Sequence, residues 1–501
     1  MRTHPRSANR RRTRAARRAR MAQPVAHPNP TPVSLPIPDW VAHECAQVEF
    51  GDQRLRPRLG RLLADFARQP QASIPQACGS WSQTLAAYRF FDNDKVSMNF
   101  ILASHQHTTL ERMRSHRVIL AAQDTVFLNF TPHPATRGLG PIGSTAEGTL
   151  GLVLHSTLAL TPDGTPLGVL DAHCWARDPK QFGKRVSRRD RALDEKESAK
   201  WLESVRVAQA LCAAWEQTQI VAVSDCESDV YDLFALARSR PDGPAVLVRA
   251  RHDRAVAATP EATKPKHLFG FLRAQPLAGT MQVRVPRRPG QKERIATLEV
   301  RYTPVTLRPP EGKASQGPVS VWAVEAREVH PPRRVTPICW RLVTTLPVET
   351  AEQAMEKVRW YAQRWRIEEW HRVLKSGCRV EARQLQTAER LQRVLAVDMI
   401  VAWRILWLTK LGRGEETSKR PATEAVSPEE WEILYVYVHG RGPQRGYEPT
   451  VREVVRWIGR LGGFLGRKRD GFPGPVVLWR GLHRLHDLVV GVELAEIRKG
   501  K

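Results

Sequence analysis

The sequence predicts an α/β protein with a mixed β-sheet core, an all-β insertion within that core, and helical regions before and after it. Three observations lead to this fold class. Helical periodicity of apolar residues dominates 39–115, short apolar runs alternate with helical segments over 116–249, and period-two alternation between Pro/Gly turns marks 250–345. From 346 onwards the pattern is again mostly helical. A chain of 501 residues is also long enough for about three domains.

Residues 1–38 are expected to form a disordered basic arm followed by a Pro-rich linker. The arm, 1–20, holds nine arginines and no acid, and 21–38 holds six prolines. Without the arm, the chain still carries +18 of its formal net charge of +27. A surplus of this size is typical of proteins that bind polyanions, so nucleic acid is the expected partner. An acidic membrane surface is the alternative, although no amphipathic lipid-binding helix is evident.

Several classes of protein are disfavoured by the sequence. The most apolar long stretch, 391–411, contains Arg393, Asp398 and Arg404, which argues against a transmembrane span. The seven cysteines form no C-x-x-C pair, so structural zinc and a disulfide framework are not expected. No G-x-x-x-x-G-K-[ST] loop occurs, which argues against a nucleotide cofactor. A cytoplasmic protein without membrane contact fits these features best.

Residues 39–115 are predicted to form a helical DNA-binding domain. A helix is expected from Asp52, which would be its N-cap, with leucines along one side. A separate basic face of this helix either contacts phosphates or is simply solvated. This face consists of Arg54, Arg58, Arg61 and Arg68. His105 and His107 have no apparent metal-binding partner and are expected on the surface.

The remaining elements follow from the same patterns. The predicted strands span 118–122, 150–160, 167–173, 220–223, 245–248, 281–285, 297–302 and 319–324, and the predicted helices span 82–91, 194–218, 229–238 and 350–375. The expected parts are the arm and linker (1–38), the helical unit (39–115), the first part of the core (116–249), the insertion (250–345), a core helix (346–385) and a helical C-terminal region (386–501).

Two aspartates follow apolar strands of the predicted core. Asp124 comes after 118–122 and Asp225 comes after 220–223. Because a sheet can present carboxylates to a cleft where its strands end, the pair favours a site for Mg²⁺ or Mn²⁺. Each aspartate alone would more often be a cap or turn residue. The sequence therefore predicts a divalent-cation site that needs a further carboxylate.

The third carboxylate is expected from the helix over 350–375. At 3.6 residues per turn, four polar side chains fall on one strip of this helix, with Trp365 and Arg372 beside it. The strip consists of Tyr361, Arg364, Glu368 and Lys375. A salt-bridged solvent face would explain the pattern, since Arg364 and Glu368 are four residues apart. Aromatic rings among cations also describe a surface that binds phosphates and stacks bases, and Trp365 is a candidate DNA contact there.

The string from Tyr361 to Lys375 resembles the Y-x2-R-x3-E-x6-K signature of bacterial cut-and-paste DDE transposases of the insertion-sequence-four family. Further motifs occur in the family's order over about 40–495. They include Gly51-Asp52, Ala87-Tyr88-Arg89-Phe90, Gln123-Asp124-Thr125, Asp194-Glu-Lys-Glu-Ser198, Asp225-Cys-Glu-Ser-Asp229 and Leu461-Gly-Gly-Phe464. The resemblance implies an RNase H-like catalytic core interrupted by a β insertion. It also implies that the C-terminal region carries dimer contacts in a synaptic complex.

The resemblance also assigns roles to particular residues. Asp124, Asp225 and Glu368 would be catalytic and would hold two Mg²⁺ or Mn²⁺ ions. Their acidic neighbours Glu227, Asp229 and Glu369 would be structural or support the triad from outside. The remaining assignments are DNA contacts by Arg58, Arg89, Trp340, Tyr361, Arg364 and Lys375. Trp340 would stack on a DNA base, with packing under the sheet as the alternative.

The implied activity is DNA transposition. Water nicks the transposon end, the freed 3′-hydroxyl forms a hairpin with the opposite strand, and the resolved end finally joins target DNA. The implied partners are transposon ends, target DNA and a second copy of the chain, near the bacterial nucleoid. Two alternatives remain open at this point, a stand-alone RNase H-like nuclease and a catalytically inactive, transposase-derived DNA-binding regulator.

Overall fold

The computed structural model describes residues 35–143, 147–180, 182, 197–214, 217–240, 243–257, 266–285 and 293–500. The predicted arm, most of the Pro-rich linker, the first three residues of the motif over 194–198 and most of the basic stretch over 180–191 lie outside the described residues. The helices are α1 (Asp39–Glu44), α2 (Leu55–Arg68), α3 (Ile74–Cys78), α4 (Trp81–Asp92), α5 (Met98–Met113), α6 (Ala199–Ala214), α7 (Tyr231–Arg238), α8 (Leu268–Arg273), α9 (Ala351–Gln363), α10 (Trp365–Arg372), α11 (Ala388–Leu411), α12 (Pro428–His439), α13 (Val451–Leu461) and α14 (Pro475–Arg498).

Among the residues that the structure describes, twelve strands form one mixed sheet. They are β1 (Val118–Asn129), β2 (Gly140–Pro141), β3 (Leu150–Leu160), β4 (Pro166–Trp175), β5 (Gln219–Ser224), β6 (Ala245–Arg249), β7 (Ala255–Ala257), β8 (Lys266–His267), β9 (Gly279–Val285), β10 (Arg294–Leu307), β11 (Val319–Glu328) and β12 (Cys339–Thr344). In the core the order is β4-β3-β1-β5-β6. β1, β3 and β4 pair antiparallel, and β5 and β6 continue parallel to β1. This is the RNase H-like arrangement.

The insertion continues the core sheet rather than forming a separate one. β12 pairs with β6, and β11 and β10 follow outward, so that the strands after residue 250 lengthen the same sheet. One short helix, α8, packs on these strands, where Leu268 and Leu272 are fully buried. The described part of the insertion is therefore β-rich and includes the short helix α8, and it brings Trp340 on β12 next to the core.

Both faces of the core sheet are covered, which explains why its strands are apolar on both sides. Ile119 and Ala121 of β1 belong to a cluster with α6, whereas Leu120 and Ala122 pack into the cluster shared by α5, α10 and α11. Side chains alternate between the two faces along β1. Asp124 therefore lies on the face covered by α10.

The N-terminal unit (35–115) follows the predicted helical pattern with three corrections. α2 begins at Leu55 with Arg54 at its N-cap position, so Asp52 is not the cap and instead forms an ion pair with Arg54 at 2.9 Å. Arg61 and Arg68 donate to the backbone oxygens of residues 35 and 36, so this part of the basic face holds the preceding segment. His105 is fully buried, whereas His107 is exposed as expected.

His105 is buried because it joins three parts of the chain. Its Nδ1 lies 2.6 Å from Glu44 of α1, and its Nε2 accepts the backbone N–H of Val169 on β4 at 3.0 Å. Arg112 of α5 pairs with the same glutamate at 2.6 Å and lies over the ring of Trp403 of α11. Burial alone would raise the pKa of Glu44, but His105 and Arg112 outweigh it and lower this pKa to about 2.

Replacing Glu44 by Gln is expected to destabilise the protein in a pH-dependent way. The pKa of Glu44 is lower in the folded chain than its ordinary value of 4.5, so the carboxylate stabilises the fold above about pH 4.5 and loses this effect as the pH falls towards 2. At pH 7, we expect the free energy of unfolding to fall by on the order of 3 kcal/mol. Urea unfolding at pH 7 and near pH 3 measures the difference, and an equal loss at both pH values would contradict the explanation.

The C-terminal region contains α11 to α14. Thr450 and Glu453 form a complete capping box at the start of α13, and Ser427 and Glu430 form another at the start of α12. α14 packs along α12 and α13, with Leu478 and Leu485 in a shared apolar cluster. Within the described residues, no helix is long and apolar enough to cross a membrane.

Candidate active site

The strand register brings the two predicted aspartates to the same level of the sheet. Ala122 of β1 pairs with Val223 of β5, and Asp124 and Asp225 each follow two residues later. The prediction that Asp124 follows the end of its strand was wrong, because β1 continues to Asn129. It continues because β3 pairs with it along this whole stretch, with Ser156 opposite Asp124. β5 ends at Ser224, so β1 projects beyond its parallel neighbour, and Asp124 lies where this projection begins.

Glu368 comes from the predicted helix, which the structure divides into three segments. α9 ends at Gln363, Arg364 lies at the junction, and α10 runs from Trp365 to Arg372 before a π-helical turn over Val373–Gly377. α10 packs on β1, and its residue Ile367 is fully buried in the apolar cluster that includes Leu120 and Ala122 of β1. Turns of π-helix occur frequently at functional sites.

Arg364 links the carboxylates that the sequence places far apart. Its guanidinium lies 3.8 Å from Asp124 Oδ2 and forms an ion pair with Glu368. Burial would lower the pKa of Arg364, but the surrounding negative groups, among them Glu368, Asp124 and Asp225, raise it above its ordinary value. Arg364 is therefore a cation that contacts both Asp124 and Glu368.

Asp124 is held from a second side by His371. His371 Nδ1 lies 3.7 Å from Asp124 Oδ2, and its Nε2 lies 2.9 Å from the hydroxyl of Ser156. Burial favours a higher pKa for Asp124, but His371 and Arg364 outweigh it and lower this pKa. Asp124 is therefore an anion in the folded chain, with 21% of its side chain still exposed.

Aromatic residues lie beside this group. Tyr361 is buried, and its ring contacts Trp340 of β12 edge to face, with 5.3 Å between centroids. Trp340 is only half-buried and lines a cavity with Arg249 and Trp365. Trp340 thus packs partly against the apolar core and partly faces this cavity, so both the stacking role and the packing role stay open.

The other predicted DNA contacts lie in different places. Arg89 is exposed on α4, and Arg58 on α2 donates to the side chain of Gln83, so both belong to the N-terminal unit. Lys375, in the π-helical turn, donates to the backbone oxygen of Phe127 and forms an ion pair with Glu381, both at 3.0 Å. The amine of Lys375 is thus held at the projecting end of β1.

The three acidic neighbours of the predicted triad differ in environment. Asp229 is buried and accepts hydrogen bonds from the backbone of 251–252 and from Arg254, which gives it a structural role. Glu369 pairs with Arg366 at 2.9 Å and with Lys410 at 3.1 Å, on a different side of α10 from Glu368. Glu227 is exposed next to Asp225.

Sequence reasoning missed three residues of this site. His371 lies three residues after Glu368, so helical spacing could have placed it on the same face. Arg249 ends β6 beside β5, and its charge acts on Tyr361. Ser156 gave no signal, because its place opposite Asp124 depends on the pairing of β3 with β1.

The side chains of the three predicted acidic residues are chemically suited to bind hard divalent cations. Asp124, Asp225 and Glu368 supply carboxylate oxygens, the ligands that Mg²⁺ and Mn²⁺ prefer. In the part of the chain that the structure describes, no three His, Cys, Asp or Glu side chains are already close enough to hold a metal ion together. The Arg364 guanidinium instead supplies positive charge between Asp124 and Glu368.

An RNase H-like sheet with one acidic residue on β1, a second directly after β5 and a third on the helix that follows the insertion is typical of DDE polynucleotidyl transferases. Comparison with known families gives three consecutive matches. Residues 37–96 match the model of the transposase DNA-binding domain, 180–402 the transposase DDE domain and 400–499 the transposase Tn5 dimerisation domain. The chain belongs to the DDE transposases related to Tn5. Asp225 and Glu368 fall within the DDE match, and Asp124 precedes it.

One solved structure with a similar chain is a cryo-EM structure of the piggyBac transposase synaptic complex with hairpin DNA. Its identity to this chain is 9%, the match covers 75% of this chain and 72% of the other, and the TM-score is 0.31.

Proposed function

We propose that this transposase moves DNA by a cut-and-paste reaction at a single active site formed by Asp124, Asp225 and Glu368. The register of β1 and β5 supports this proposal most strongly, because Ala122 pairs with Val223 and each aspartate follows two residues later. The ion pairs of Arg364 with both Glu368 and Asp124 support the inclusion of Glu368 in this site. The three carboxylates would hold two Mg²⁺ or Mn²⁺ ions, which activate the attacking oxygen and stabilise the leaving oxygen during phosphodiester cleavage.

The residues around the triad have distinct tasks in this proposal. Arg364 is a fixed cation that can neutralise a DNA phosphate beside the carboxylates. His371 restricts the orientation of Asp124 from the other side. Tyr361 supports Trp340, whose partly exposed ring can stack on a base taken out of the helix when the strand end bends into a hairpin. Such stacking contributes about 1–3 kcal/mol and would offset the cost of unstacking.

DNA recognition is assigned to several surfaces. In the N-terminal unit, Arg58 and Arg89 would contact the transposon end. Trp365 and Lys375 would contact DNA next to the triad. The C-terminal region would join two copies in a synaptic complex, as two ends must be cut together. We propose that the complex works on chromosomal DNA in the bacterial cytoplasm, at the nucleoid.

Strand transfer tests this proposal. The substrate is a DNA duplex with the sequence that flanks the gene, already cut at its end to expose a 3′-hydroxyl. It is incubated with supercoiled plasmid, the full-length protein and Mg²⁺. We expect covalent joining of the duplex to the plasmid, which is detected as labelled plasmid on a denaturing gel. The matched control is the same duplex with a 3′-deoxy end, which should not join.

The outcome also separates the proposal from its alternative. Hydrolysis of the duplex or plasmid without any joining would identify a nuclease and overturn the cut-and-paste proposal. A hairpin product from an uncut end, resistant to strand separation by heat, would support the intermediate step.

A further inference from the structure

The π-helical turn over Val373–Gly377 directly follows the helix that carries Glu368. Three of its neighbours belong to different parts of the chain. Gln71 of the N-terminal unit donates to the backbone oxygen of Ser376 at 3.1 Å. Lys375 donates to the backbone oxygen of Phe127 on β1 at 3.0 Å. The third neighbour is Trp479 of α14, in the C-terminal region.

Trp479 approaches the turn so closely that only glycine fits opposite it. A Cβ atom at Gly377 would lie 2.9 Å from Cε3 and 3.2 Å from Cζ3 of the indole, and 3.2 Å from Val373 Cγ1. The Trp479 side chain is almost fully buried, at 4% exposure, so it has little room to withdraw. Its ring nitrogen has no hydrogen-bond partner among the described residues, so packing holds the ring.

The turn cannot move without moving α10. Val373, Leu374 and Cys378 are completely buried, and α10 continues into the turn without an intervening loop. Because a close-packed interior transmits small displacements, a shift at Gly377 reaches Glu368, which lies nine residues earlier on the same helical segment.

We propose that this turn is a positioning element, through which Trp479 of the C-terminal region and Gln71 of the N-terminal unit set the place of Glu368 relative to Asp124. The inference rests on the proposed catalytic role of Glu368. It assigns to Trp479 a function in the chemical step in addition to the packing of α14. Both residues contact the π-helical turn and would act on Glu368 through it.

The test measures cleavage of a supercoiled plasmid that carries the gene with its flanking DNA, by full-length protein with Mg²⁺. For Gly377→Ala, we expect kcat to fall by roughly 10- to 100-fold, as a displacement of about 1 Å can cause, with unchanged half-saturation by DNA. Gly270→Ala is the matched control, since a Cβ there meets nothing within 4 Å. It should cleave like the wild type.

A compensating change distinguishes positioning from general damage. Trp479→Leu makes room for the added methyl group, so the double variant Gly377→Ala/Trp479→Leu should cleave faster than Gly377→Ala alone. If the Gly377→Ala protein does not fold, the Gln71→Leu variant tests the positioning role instead. It removes only the exposed hydrogen bond to Ser376 and should lower kcat about fivefold.

Each result has a separate meaning. The positioning role would be overturned if Gly377→Ala cleaved like the wild type, or if the double variant cleaved no faster than Gly377→Ala. Where Gly377→Ala does not fold, an unchanged kcat in Gln71→Leu would overturn it. A wild-type protein that does not cleave with Mg²⁺ would instead overturn the proposed function, on which this inference rests.

Discussion

Asp225→Asn is expected to reduce Mg²⁺-dependent DNA cleavage by roughly a thousandfold or more, because a bound metal supplies several kcal/mol of stabilisation and each 1.36 kcal/mol changes the rate tenfold. The substitution keeps the size of the side chain and removes its charge. Asp225 is only half-buried after the end of β5, so the fold should tolerate the change. DNA binding should persist, since the contacts proposed for Arg58 and Arg89 lie in the N-terminal unit.

Glu227→Gln provides the matched control. It removes a carboxylate charge only two residues away, from an exposed side chain to which no catalytic role is assigned. Cleavage of labelled DNA and a gel-shift assay with the same DNA measure the two properties separately. Equal loss of cleavage in both variants would show that Asp225 has no special role. Cleavage by Asp225→Asn at the wild-type rate would remove it from the catalytic site.

The sheet could be predicted from the sequence because its strands are apolar on both faces. Two continuous apolar runs, Ile119 to Ala122 and Ile220 to Val223, each end two residues before an aspartate. This spacing already implied that Asp124 and Asp225 are neighbours if the two strands are parallel and adjacent. The second half of β1 was missed because, beyond Ala122, it is paired with β3 but not with β5.

Side chains that meet through tertiary packing could not be predicted in the same way. His105 was expected on the surface, because its partner Glu44 is 61 residues away and no local pattern connects them. The π-helical turn over Val373–Gly377 was hidden as well, since the apolar spacing continues through it. The indole of Trp479, which packs closely against Gly377 in this turn, lies about 100 residues later in the chain.

Buried charge is a second feature that local patterns do not explain. The charge of Asp398 argues against a membrane span over 391–411. In the structure, this residue lies in the middle of α11 and is completely buried. Its carboxylate accepts two hydrogen bonds from Arg383, at 2.7 and 3.0 Å. The guanidinium also donates to the backbone oxygen of Ala72 and lies over the ring of Phe66. This ion pair therefore connects α11 to the N-terminal unit.

Arg383→Met is expected to lower the free energy of unfolding by about 3–5 kcal/mol, the usual result when one partner of a buried ion pair is removed and the other charge is left unpaired. The double variant Arg383→Met/Asp398→Leu should recover most of this loss, because no buried charge remains. Urea denaturation followed by circular dichroism measures all three proteins. Lys419→Met is the control, since the ion pair of Lys419 with Glu416 is exposed and should contribute less than about 1 kcal/mol.

The double variant also decides what the pair does beyond stability. If Arg383 only compensates Asp398, the double variant should regain both the stability and the DNA binding of the wild type. If the hydrogen bond to Ala72 also holds the N-terminal unit on the core, stability should return while binding of the transposon end remains weaker. A single variant as stable as the wild type would contradict the energetic argument, because Asp398 would then tolerate burial without its partner.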